Sequence, residues 1–394
     1  MTENGKTSVF GNSLIWFGAA VSIAEIITGA LFAPLGFWKA LAAIVIGHVI
    51  GCILLYFAGL IGARFSRSAM ETAKLSFGER GGQLFALLNV IQLVGWTAVM
   101  IASGAQSAQT AFPFGCGPWL WSVITGLLIL VWILAGIGVL QKINIVTMVL
   151  LFGLSLVLSK LVFQSYGSAI AAEEVLRFGD ALELSIAMPV SWLPLIADYT
   201  SNSSRPKLSC LVSSAVYFAV SCWMYVIGMA AAIYAGESEI AAIMTKAGLG
   251  LAAILVVVLS TVTTTFLDVY SAGVSTESIC RKLPLKATAS VVCIVGVLLA
   301  IFCDTGAFEN FLYWIGSVFV PMITVQIMDV FVLGGRREGE ARQYMLRNLL
   351  LWLAGFVLYR IALNLNLPCG STIPVVAVTA FLCWTVHFFG KKKQ

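Results

Sequence analysis

The sequence predicts an all-α integral membrane protein with about twelve transmembrane helices. Hydrophobic residues make up 60% of the 394 residues, charged residues make up only 10%, and the mean hydropathy is +0.98. Because soluble domains carry about 25% charged residues, this composition excludes an ordinary soluble protein. The apolar stretches are long and continuous, which also excludes the alternating strands of a membrane β-barrel.

A spanning helix needs roughly 20 mostly apolar residues, and twelve such stretches follow one another along the chain. We expect them to be centred near residues 24, 50, 97, 130, 154, 190, 221, 261, 295, 320, 357 and 380. The first begins near Asn12 and is too long for the apolar core of a signal peptide, so we expect no cleaved leader.

Basic residues indicate the orientation of these spans. If the N-terminus is inside, most of the basic segments lie in the cytoplasm. These segments are Lys6, the loops at 64–80, 205–207, 281–286 and 336–347, and the C-terminal lysines. The positive-inside rule therefore predicts that both termini are cytoplasmic. The formal net charge of +5 belongs to these loops, so it indicates topology, and we expect no nucleic-acid partner.

The cysteines and histidines do not indicate a metal site or a cofactor. Nine cysteines lie mostly in apolar segments without a CxxC spacing, a pattern typical of small core residues. The two histidines, His48 and His387, are isolated, and we expect each to be packed or interfacial.

The spans divide into two blocks of nearly equal length within one transporter domain, 1–394. Spans one to five occupy about 12–165, spans six to ten about 181–333, and two further spans about 346–390. Because five is odd, the second block enters the membrane from the opposite side, which predicts an inverted repeat. Binding sites in such folds lie near the membrane midplane, where broken helices meet.

The first span of each block carries residues that interrupt a helix. Span six contains MPVSWLP (188–194), and its two prolines each remove a backbone donor and clash with the preceding turn. An ordinary proline kink would explain span six taken alone. Breaks at corresponding positions of both blocks instead favour a pair of discontinuous binding helices. In span one the interrupting residues are Gly18, Ser22, Glu25, Gly29 and Pro34.

A polar run, LSTVTTTFLDVYSA (259–272), lies inside span eight. On a helix, Ser260, Thr263 and Thr264 share one face. Hydroxyl groups at this depth need partners, because an unpaired polar group in hydrocarbon is costly. Interhelical hydrogen bonds are one solution, and a small hard cation, which prefers oxygen ligands, is the other. The broken spans favour the cation.

Several motifs, taken together and in this order, resemble the nucleobase–cation symporter-1 family. They are SFGERGG (76–82), GW (95–96), ADYT (197–200), the span-eight run and FLYWIGSVFVP (311–321). The chain most resembles short bacterial members regarded as hydroxymethylpyrimidine transporters, which are relatives of cytosine permeases. The resemblance implies a 5+5 inverted-repeat fold like that of the leucine transporter, with two further C-terminal helices. It also implies a multi-pass protein of the bacterial inner membrane, which we expect to be a monomer.

The resemblance implies a sodium site between spans one and eight. Its ligands would be the backbone carbonyls of Gly18 and Val21 and the side chains of Ser260, Thr263 and Thr264. A neutral oxygen shell suits a monovalent ion that must leave again. We expect sodium as the coupling ion, with proton coupling, or no coupling ion, as the alternatives.

Two residues of span three are candidates for the substrate site. Trp96 lies mid-span, where interfacial anchoring does not explain a tryptophan, and the matching family position stacks on a flat heterocycle. Helix packing is the alternative for Trp96. Gln92, one turn earlier, either reads a donor–acceptor edge of the substrate or forms an interhelical hydrogen bond.

Glu25 is the strongest single candidate for a substrate-binding residue, because a carboxyl group at the centre of a span is costly and marks a functional site. It could accept from the amine of an aminopyrimidine and, when protonated, donate to the ring nitrogen. A buried pair with a basic residue is the alternative, although no partner is obvious near its depth. Ser22, beside the expected break, is assigned to the same site.

Span six is expected to form the opposite wall, with Ser191 and the freed backbone carbonyls around Met188 as polar contacts. Its stacking residue is Pro189 by direct alignment or Trp192 after a small shift. Thr265 stands where cytosine-permease relatives use an amide side chain, which argues against cytosine as the substrate. Asp268 is either a coupling or gating carboxylate or a structural hydrogen-bond partner of span one or five.

These observations predict a secondary transporter that imports a pyrimidine, namely the thiamine precursor hydroxymethylpyrimidine, with sodium. Spans 1, 2, 6 and 7 would rock against spans 3, 4, 8 and 9 around the ligand. The main alternative is a permease for cytosine, another nucleobase or an allantoin-like heterocycle, coupled to protons. An enzyme is disfavoured because no nucleophile–base set or metal motif occurs, and a channel because a pocket with one carboxylate does not resemble a repeated filter.

Overall fold

The structure, a computed structural model, describes residues 6–113, 115–135, 149–150, 152–153, 155–163, 176–235, 242, 245, 250–302, 308–334 and 341–391. The predicted centre of span five, residue 154, and parts of the expected cytoplasmic charge clusters, 336–340 and 392–394, lie outside these residues. Within the described residues the regular structure is helical, with one isolated β-bridge between Thr7 and Ser203.

The helices follow the predicted spans in order, and most are long enough to cross a bilayer. Eight described helices meet the length and hydropathy expected of a spanning helix, and the bent pair at the N-terminus brings the number to nine. The all-α membrane fold is therefore confirmed. The bounds are α1 Val9–Ala20, α2 Ile23–Ala30, α3 Phe37–Phe65, α4 Ala69–Ala111, α5 Pro118–Ala135, α6 155–163, α7 Phe178–Ser191, α8 Ile196–Thr200, α9 Pro206–Ala230, α10 Gly250–Ile279, α11 Leu285–Phe302, α12 Phe308–Ile327, α13 Ala341–Ala362 and α14 Thr372–Lys391.

The first predicted span is broken, as the sequence indicated. Helix α1 ends at Ala20, and the chain turns by 48° before continuing from Ile23. Val21 and Ser22 have non-helical backbone angles. The Ser22 hydroxyl caps α2 by accepting the Glu25 amide at 3.3 Å, which satisfies one of the donors that a helix start leaves open.

The sixth predicted span is also interrupted. Helix α7 contains Pro189 and ends at Ser191, and the chain resumes helical geometry only at Ile196, in the short helix α8. Polar side chains satisfy part of the freed backbone. The Ser191 hydroxyl donates to the Met188 carbonyl at 2.6 Å. Both expected breaks are thus present.

Helix α4 combines the third span with the loop that precedes it. Gly78 interrupts the helix with φ 74° and ψ −179°, a positive φ that glycine adopts without steric strain. The residues before it, from Ala69, form a separate helical segment. That segment is held by Asp198, which accepts the Ala69 amide at 2.9 Å, and by Asp329, which accepts the Ser76 hydroxyl at 2.6 Å.

The packing of the helices repeats itself between the two blocks. In one group, α1 and α2, which form the first span of the first block, pack against α9, the second span of the second block. Conversely, α7 in the first span of the second block packs against α3, the second span of the first block. In the other group, α4, the third span of the first block, packs against α10 and α11 of the second block. Its equivalent in the second block, α10, packs against α4 and α5 of the first block. These exchanged pairings are those expected of an inverted repeat. The two groups meet where α1 and α2 contact α10 and α4.

The two C-terminal helices are joined to this core through Glu183 of α7. Its carboxylate accepts the backbone amides of Ser371 and Thr372 at 2.6 and 2.8 Å and the Thr372 hydroxyl at 2.7 Å. The Tyr359 hydroxyl of α13 donates to the same carboxylate. An anion at the start of α14 satisfies free amides and matches the positive end of the helix dipole.

Helices α2 and α9 cross with their backbones in contact at two glycines. A Cβ on Gly29 would lie 2.2 Å from the Tyr225 carbonyl oxygen, and one on Gly228 would lie 1.9 Å from the Ile26 carbonyl oxygen. Glycine at both positions lets the helices approach closely, as small residues do in membrane bundles.

We expect Gly228→Ala to destabilise the protein, because the added methyl group would have to push α2 away from α9. Overpacking of this kind costs about 1–3 kcal/mol, and the result would be a lower midpoint of thermal unfolding in detergent. The matched control is Gly115→Ala, since a Cβ at Gly115 would meet no atom within 4 Å. Equal unfolding midpoints for the two variants would contradict the close crossing.

Candidate functional site

A cavity lies where the two helix breaks meet, between α1–α2, α4, α7 and α10. Its free volume is about 10 Å³, about enough for one water molecule, so the helices close the site to any larger ligand. Of the residues predicted for the substrate site, six line it, together with Thr264 and Asp268 from the polar run of α10. The lining residues are Ala19, Ser22, Ala24, Glu25, Trp96, Met100, Met188, Ser191, Trp192, Thr264 and Asp268.

Two tryptophans from the two helix groups contribute to the wall. Trp96 of α4 is nearly buried and packs edge-to-face on Phe311, with ring centroids 5.6 Å apart. Trp192, at the break after α7, packs edge-to-face on Trp16 at 5.6 Å. These contacts hold each indole in place while both tryptophans border the cavity, an arrangement suited to a flat aromatic ligand.

The Glu25 carboxyl group is buried at the cavity wall. Its Oε1 accepts the Tyr217 hydroxyl at 2.7 Å, and its Oε2 accepts the Ser221 hydroxyl at 2.7 Å. No lysine or arginine of the described residues forms an ion pair with it. Its partners are therefore neutral hydroxyl groups of α9, and not the basic residue that the alternative interpretation required.

The break after α1 frees the two carbonyls predicted to bind sodium. In a continuous helix, the Gly18 carbonyl would accept the Ser22 amide, but that amide donates to the Ala20 carbonyl at 3.0 Å. The Val21 carbonyl would accept the Glu25 amide, which instead donates to the Ser22 hydroxyl. Both oxygens have thus lost their usual helical donors.

The hydroxyl face of α10 is buried and partly without partners. The hydroxyl oxygens of Ser260 and Thr264 have no hydrogen-bond partner among the described residues. Thr263 donates to the Leu259 carbonyl at 2.8 Å and the Ser260 carbonyl at 3.1 Å, and its oxygen keeps lone pairs for a ligand. Because orphaned buried hydroxyls are costly, these oxygens have the chemistry of an incomplete cation shell.

Asp268 lies one turn beyond Thr264 and is buried at the cavity wall. Within the described residues its carboxyl group has no hydrogen-bond or ion-pair partner. The structure therefore does not show the alternative structural hydrogen bond. A buried carboxyl group without partners beside a cavity is available to a ligand or a proton.

Three predicted substrate residues do not line the cavity. Gln92 points along the break of span six and donates from Nε2 to Asn89 Oδ1 at 2.7 Å and to the Ser191 carbonyl at 3.4 Å, which corresponds to the interhelical alternative. Pro189 packs against α3 at Gly51, where an added Cβ would lie 2.3 Å from its ring. The helix turn therefore directs Trp192, and not Pro189, to the cavity. Thr265 is fully buried, and its hydroxyl has no partner among the described residues.

Four polar residues near the site did not emerge from the sequence. Asn89 donates to the Pro194 carbonyl at 3.2 Å and to the Ser275 hydroxyl at 2.8 Å, which ties α4 to the break of span six. Tyr217 and Ser221 hold Glu25, and His48 in turn contacts Ser221. The sequence feature that could have identified them is a polar residue in the middle of a span. His48 has this feature, but from the sequence it was interpreted as a packed or interfacial residue.

Comparison with known proteins assigns the chain to a family. Residues 2–349 match the family of permeases for cytosine/purines, uracil, thiamine and allantoin. The cytosine permease of Escherichia coli (strain K12) is 25% identical over 390 residues, covering 96% of this chain and 90% of the permease. The vitamin B6 transporter TPN1 of Saccharomyces cerevisiae is 24% identical over 343 residues, covering 77% of this chain and 59% of that protein.

Solved transporter structures share the fold. Mhp1, a nucleobase-cation-symport-1 family transporter, in its closed conformation with bromovinylhydantoin bound, has a TM-score of 0.78 at 18% identity, covering 98% of this chain and 92% of Mhp1. The inward-facing conformation of Mhp1 gives 0.80 at 17% identity with the same coverage. A Na⁺-coupled sialic acid symporter gives 0.73 at 13% identity, covering 98% of this chain and 90% of that one.

The match over most of the chain and the closed cavity between two broken helices lead to one conclusion. The chain belongs to the family of permeases for cytosine/purines, uracil, thiamine and allantoin, the nucleobase–cation symporter-1 family, and it is a multi-pass secondary transporter of a small heterocycle, not an enzyme.

Proposed function

We propose that the protein imports a pyrimidine, hydroxymethylpyrimidine, together with sodium by alternating access. The observation on which the proposal rests is the closed cavity that brings Trp96, Trp192 and Glu25 together at the meeting point of both helix breaks. Two aromatic faces and one hydrogen-bonding carboxyl group match a flat heterocycle with an amine and a ring nitrogen.

The chemistry of the cavity wall supports an aminopyrimidine. Each Glu25 oxygen accepts one hydroxyl and retains a second lone pair for an amine donor. The Ser22 hydroxyl, also at the wall, can bind a substituent of the ring. Because Met100 brings only a thioether to the wall on the α4 side, a weak acceptor, the hydrogen bonds to the substrate would come mainly from α2 and from the break of span six.

The proposal also specifies which pyrimidine is bound, namely one with a hydroxymethyl group. By the resemblance, Thr265 stands where cytosine-permease relatives use an amide side chain, and it does not line the cavity. The family description names thiamine as well as cytosine, and TPN1 is a vitamin B6 transporter. These features support a vitamin-precursor pyrimidine over cytosine.

The closed cavity requires movement for uptake. Free space of about 10 Å³ is far below the roughly 300 Å³ typical of ligand pockets, so a pyrimidine enters only when the walls separate. The group containing α1, α2, α3 and α7–α9 would rock against the group containing α4, α5, α10 and α11, since the cavity lies at the boundary between them.

Sodium coupling is supported by the oxygen atoms between α1 and α10. The carbonyls of Gly18 and Val21 have lost their helical donors, and the hydroxyls of Ser260 and Thr264 have no partner among the described residues. A cation bound there would hold α1 against α10 and so favour the closed, substrate-binding arrangement, a reciprocal coupling. The proposed setting is the bacterial inner membrane, with a monomer whose termini are both cytoplasmic.

The proposed substrate is tested by competition for uptake of labelled hydroxymethylpyrimidine into cells or vesicles that contain the protein. Unlabelled hydroxymethylpyrimidine should displace the label, and cytosine at the same concentration should not. Displacement by both compounds at equal concentrations would instead favour a general cytosine or nucleobase permease.

Replacing Trp96 with Ala should abolish measurable uptake and weaken ligand binding at least about tenfold, which corresponds to about 1.4 kcal/mol, because one stacking face is lost. Ligand-dependent thermal stabilisation of the purified protein measures the affinity. The matched control is Trp38→Ala, since the side chain of Trp38 is 78% exposed and does not line the cavity. Uptake by Trp96→Ala at the parent rate would refute the stacking role.

The double variant Thr263→Ala, Thr264→Ala should raise the sodium concentration for half-maximal uptake at least about tenfold, because two oxygen ligands are removed (about 1.4 kcal/mol). Thr263→Ser, Thr264→Ser keeps both hydroxyls and serves as the control. Full uptake by the parent protein in sodium-free medium would show that sodium is not the coupling ion.

A further inference from the structure

A line of three polar side chains leads from the cavity into the interior of the protein. Glu25 Oε2 accepts the Ser221 hydroxyl at 2.7 Å, and Ser221 Oγ lies 2.6 Å from His48 Nε2. Glu25 is 1% exposed, and both Ser221 and His48 are 0% exposed. The three residues come from α2, α9 and α3, so the line connects three helices of one group.

The contacts at the far end of the line favour a hydrogen on Nδ1 of His48. His48 Nδ1 lies 3.0 Å from the Ile44 carbonyl oxygen and 2.8 Å from Ser185 Oγ. Ser185 itself donates to the Ile44 carbonyl at 2.8 Å, so its oxygen is an acceptor for Nδ1. Because a carbonyl only accepts, these contacts are all satisfied when Nδ1 is protonated.

The near end then requires one additional proton. With Nδ1 protonated, a neutral His48 has a lone pair on Nε2, and ionised Glu25 has one on Oε2. The single hydroxyl hydrogen of Ser221 cannot satisfy both. A second proton on either Nε2 or Glu25 completes every contact, and it gives either an imidazolium–carboxylate pair or a neutral imidazole with a carboxylic acid.

The other titratable groups around the line are two tyrosines, two cysteines and one aspartate. Tyr217 donates to Glu25 Oε1 at 2.7 Å, and the Tyr225 ring packs edge-on against the imidazole of His48 at 4.7 Å. The thiols of Cys52 and Cys222 lie near enough to Glu25 to interact electrostatically. Asp268 borders the cavity from α10. No described lysine or arginine forms an ion pair with any of these groups.

We propose that Glu25, Ser221 and His48 form a proton-binding site that holds one proton beside the substrate cavity. In the exchange, His48 Nε2 gives its proton to Ser221 Oγ while the Ser221 hydroxyl hydrogen passes to Glu25 Oε2. The imidazolium and carboxylate become a neutral pair, so no net charge moves into or out of the site. No other proton source is needed.

The site gives Glu25 both of the forms that an aminopyrimidine requires. As a carboxylic acid, Glu25 can turn its single Oε2 proton from Ser221 Oγ to the ring nitrogen, while Ser221 donates to His48 Nε2 and Glu25 Oε1 accepts from the amine. As a carboxylate, Glu25 only accepts. His48 is thus a positioning and proton-storing residue that acts through Ser221, and it does not touch the substrate. This second step rests on the proposed function, whereas the proton site itself does not.

Nitrogen-15 NMR of histidine tests the proton site without any substrate. The chain contains only His48 and His387, so His387→Gln leaves one labelled imidazole in the full-length protein. We expect a protonated Nδ1 across the pH range of stability and an Nε2 signal averaged between protonated and unprotonated positions. In Glu25→Gln, the Nε2 signal should move to the unprotonated position, because the shared proton has lost its carboxylate.

A second variant guards against misfolding of the first. Ser221→Ala removes the link, and it should move the Nε2 signal in the same direction. Ser214→Ala is the matched control on the same helix, because its hydroxyl has no partner among the described residues and the Nε2 signal should not change. An Nε2 signal that is the same in the parent, Glu25→Gln and Ser221→Ala, or an unprotonated Nδ1, would overturn the proposal.

Adding hydroxymethylpyrimidine separates the two steps. If the ligand binds, which tryptophan fluorescence detects, the Nε2 signal should shift toward the unprotonated position as the proton moves to Glu25. Binding with an unchanged Nε2 signal would refute the coupling to substrate. Failure of this ligand to bind would count against the proposed function, while the substrate-free spectra still decide the proton site.

Discussion

The constraint on which the rest of the structure depends is the need to satisfy backbone polar groups at two helix breaks inside the membrane. Where α1 gives way to α2, the Ser22 hydroxyl takes the amide of Glu25. After α7, the Gln92 and Asn89 amides reach the carbonyls of Ser191 and Pro194. Because unsatisfied backbone groups are costly in hydrocarbon, each break is held by polar side chains: one from the break itself at Ser22, and two from the neighbouring helix α4 at Asn89 and Gln92.

The polar groups around the cavity differ between the two helix groups. On the side of α2, α3 and α9, the line from Glu25 to His48 satisfies its contacts internally. On the side of α10, the hydroxyls of Ser260 and Thr264 have no partner among the described residues. In the proposed mechanism, the paired side is prepared before a ligand arrives, and the unpaired side would gain its partners when an ion or substrate binds. Such an asymmetry suits a site that must alternate between closed and open forms.

The two C-terminal helices complete the outer part of the fold without reaching the cavity. Glu183 links α7 to Tyr359 of α13 and to the first amides of α14. One carboxyl side chain therefore holds three helices, and it lies on the same helix whose other end forms the cavity wall. Movement of α7 during transport would be transmitted to these helices through that carboxylate.

The sequence alone determined the fold class, the two breaks and most of the cavity wall. Apolar stretches long enough to span a bilayer allow few solutions other than helices, and prolines or a helix-capping serine in mid-span mark where a helix cannot continue. Trp96 and Glu25 were identifiable because a large aromatic or a carboxyl group at the bilayer centre has few structural explanations. These signals are local in the sequence, so they can be recognised without knowledge of the neighbouring helices.

Only the tertiary structure decided which side chains meet. The choice between Pro189 and Trp192 depended on the direction in which the last turn of α7 points, and Gln92 turned to the break of span six instead of the cavity. From the sequence, His48 was interpreted as an isolated packed residue, because its partners Ser185 and Ser221 lie 137 and 173 positions away in the chain. Hydrogen bonds between distant segments leave no periodic pattern in the sequence, and the crossing of α3, α7 and α9 is what creates them.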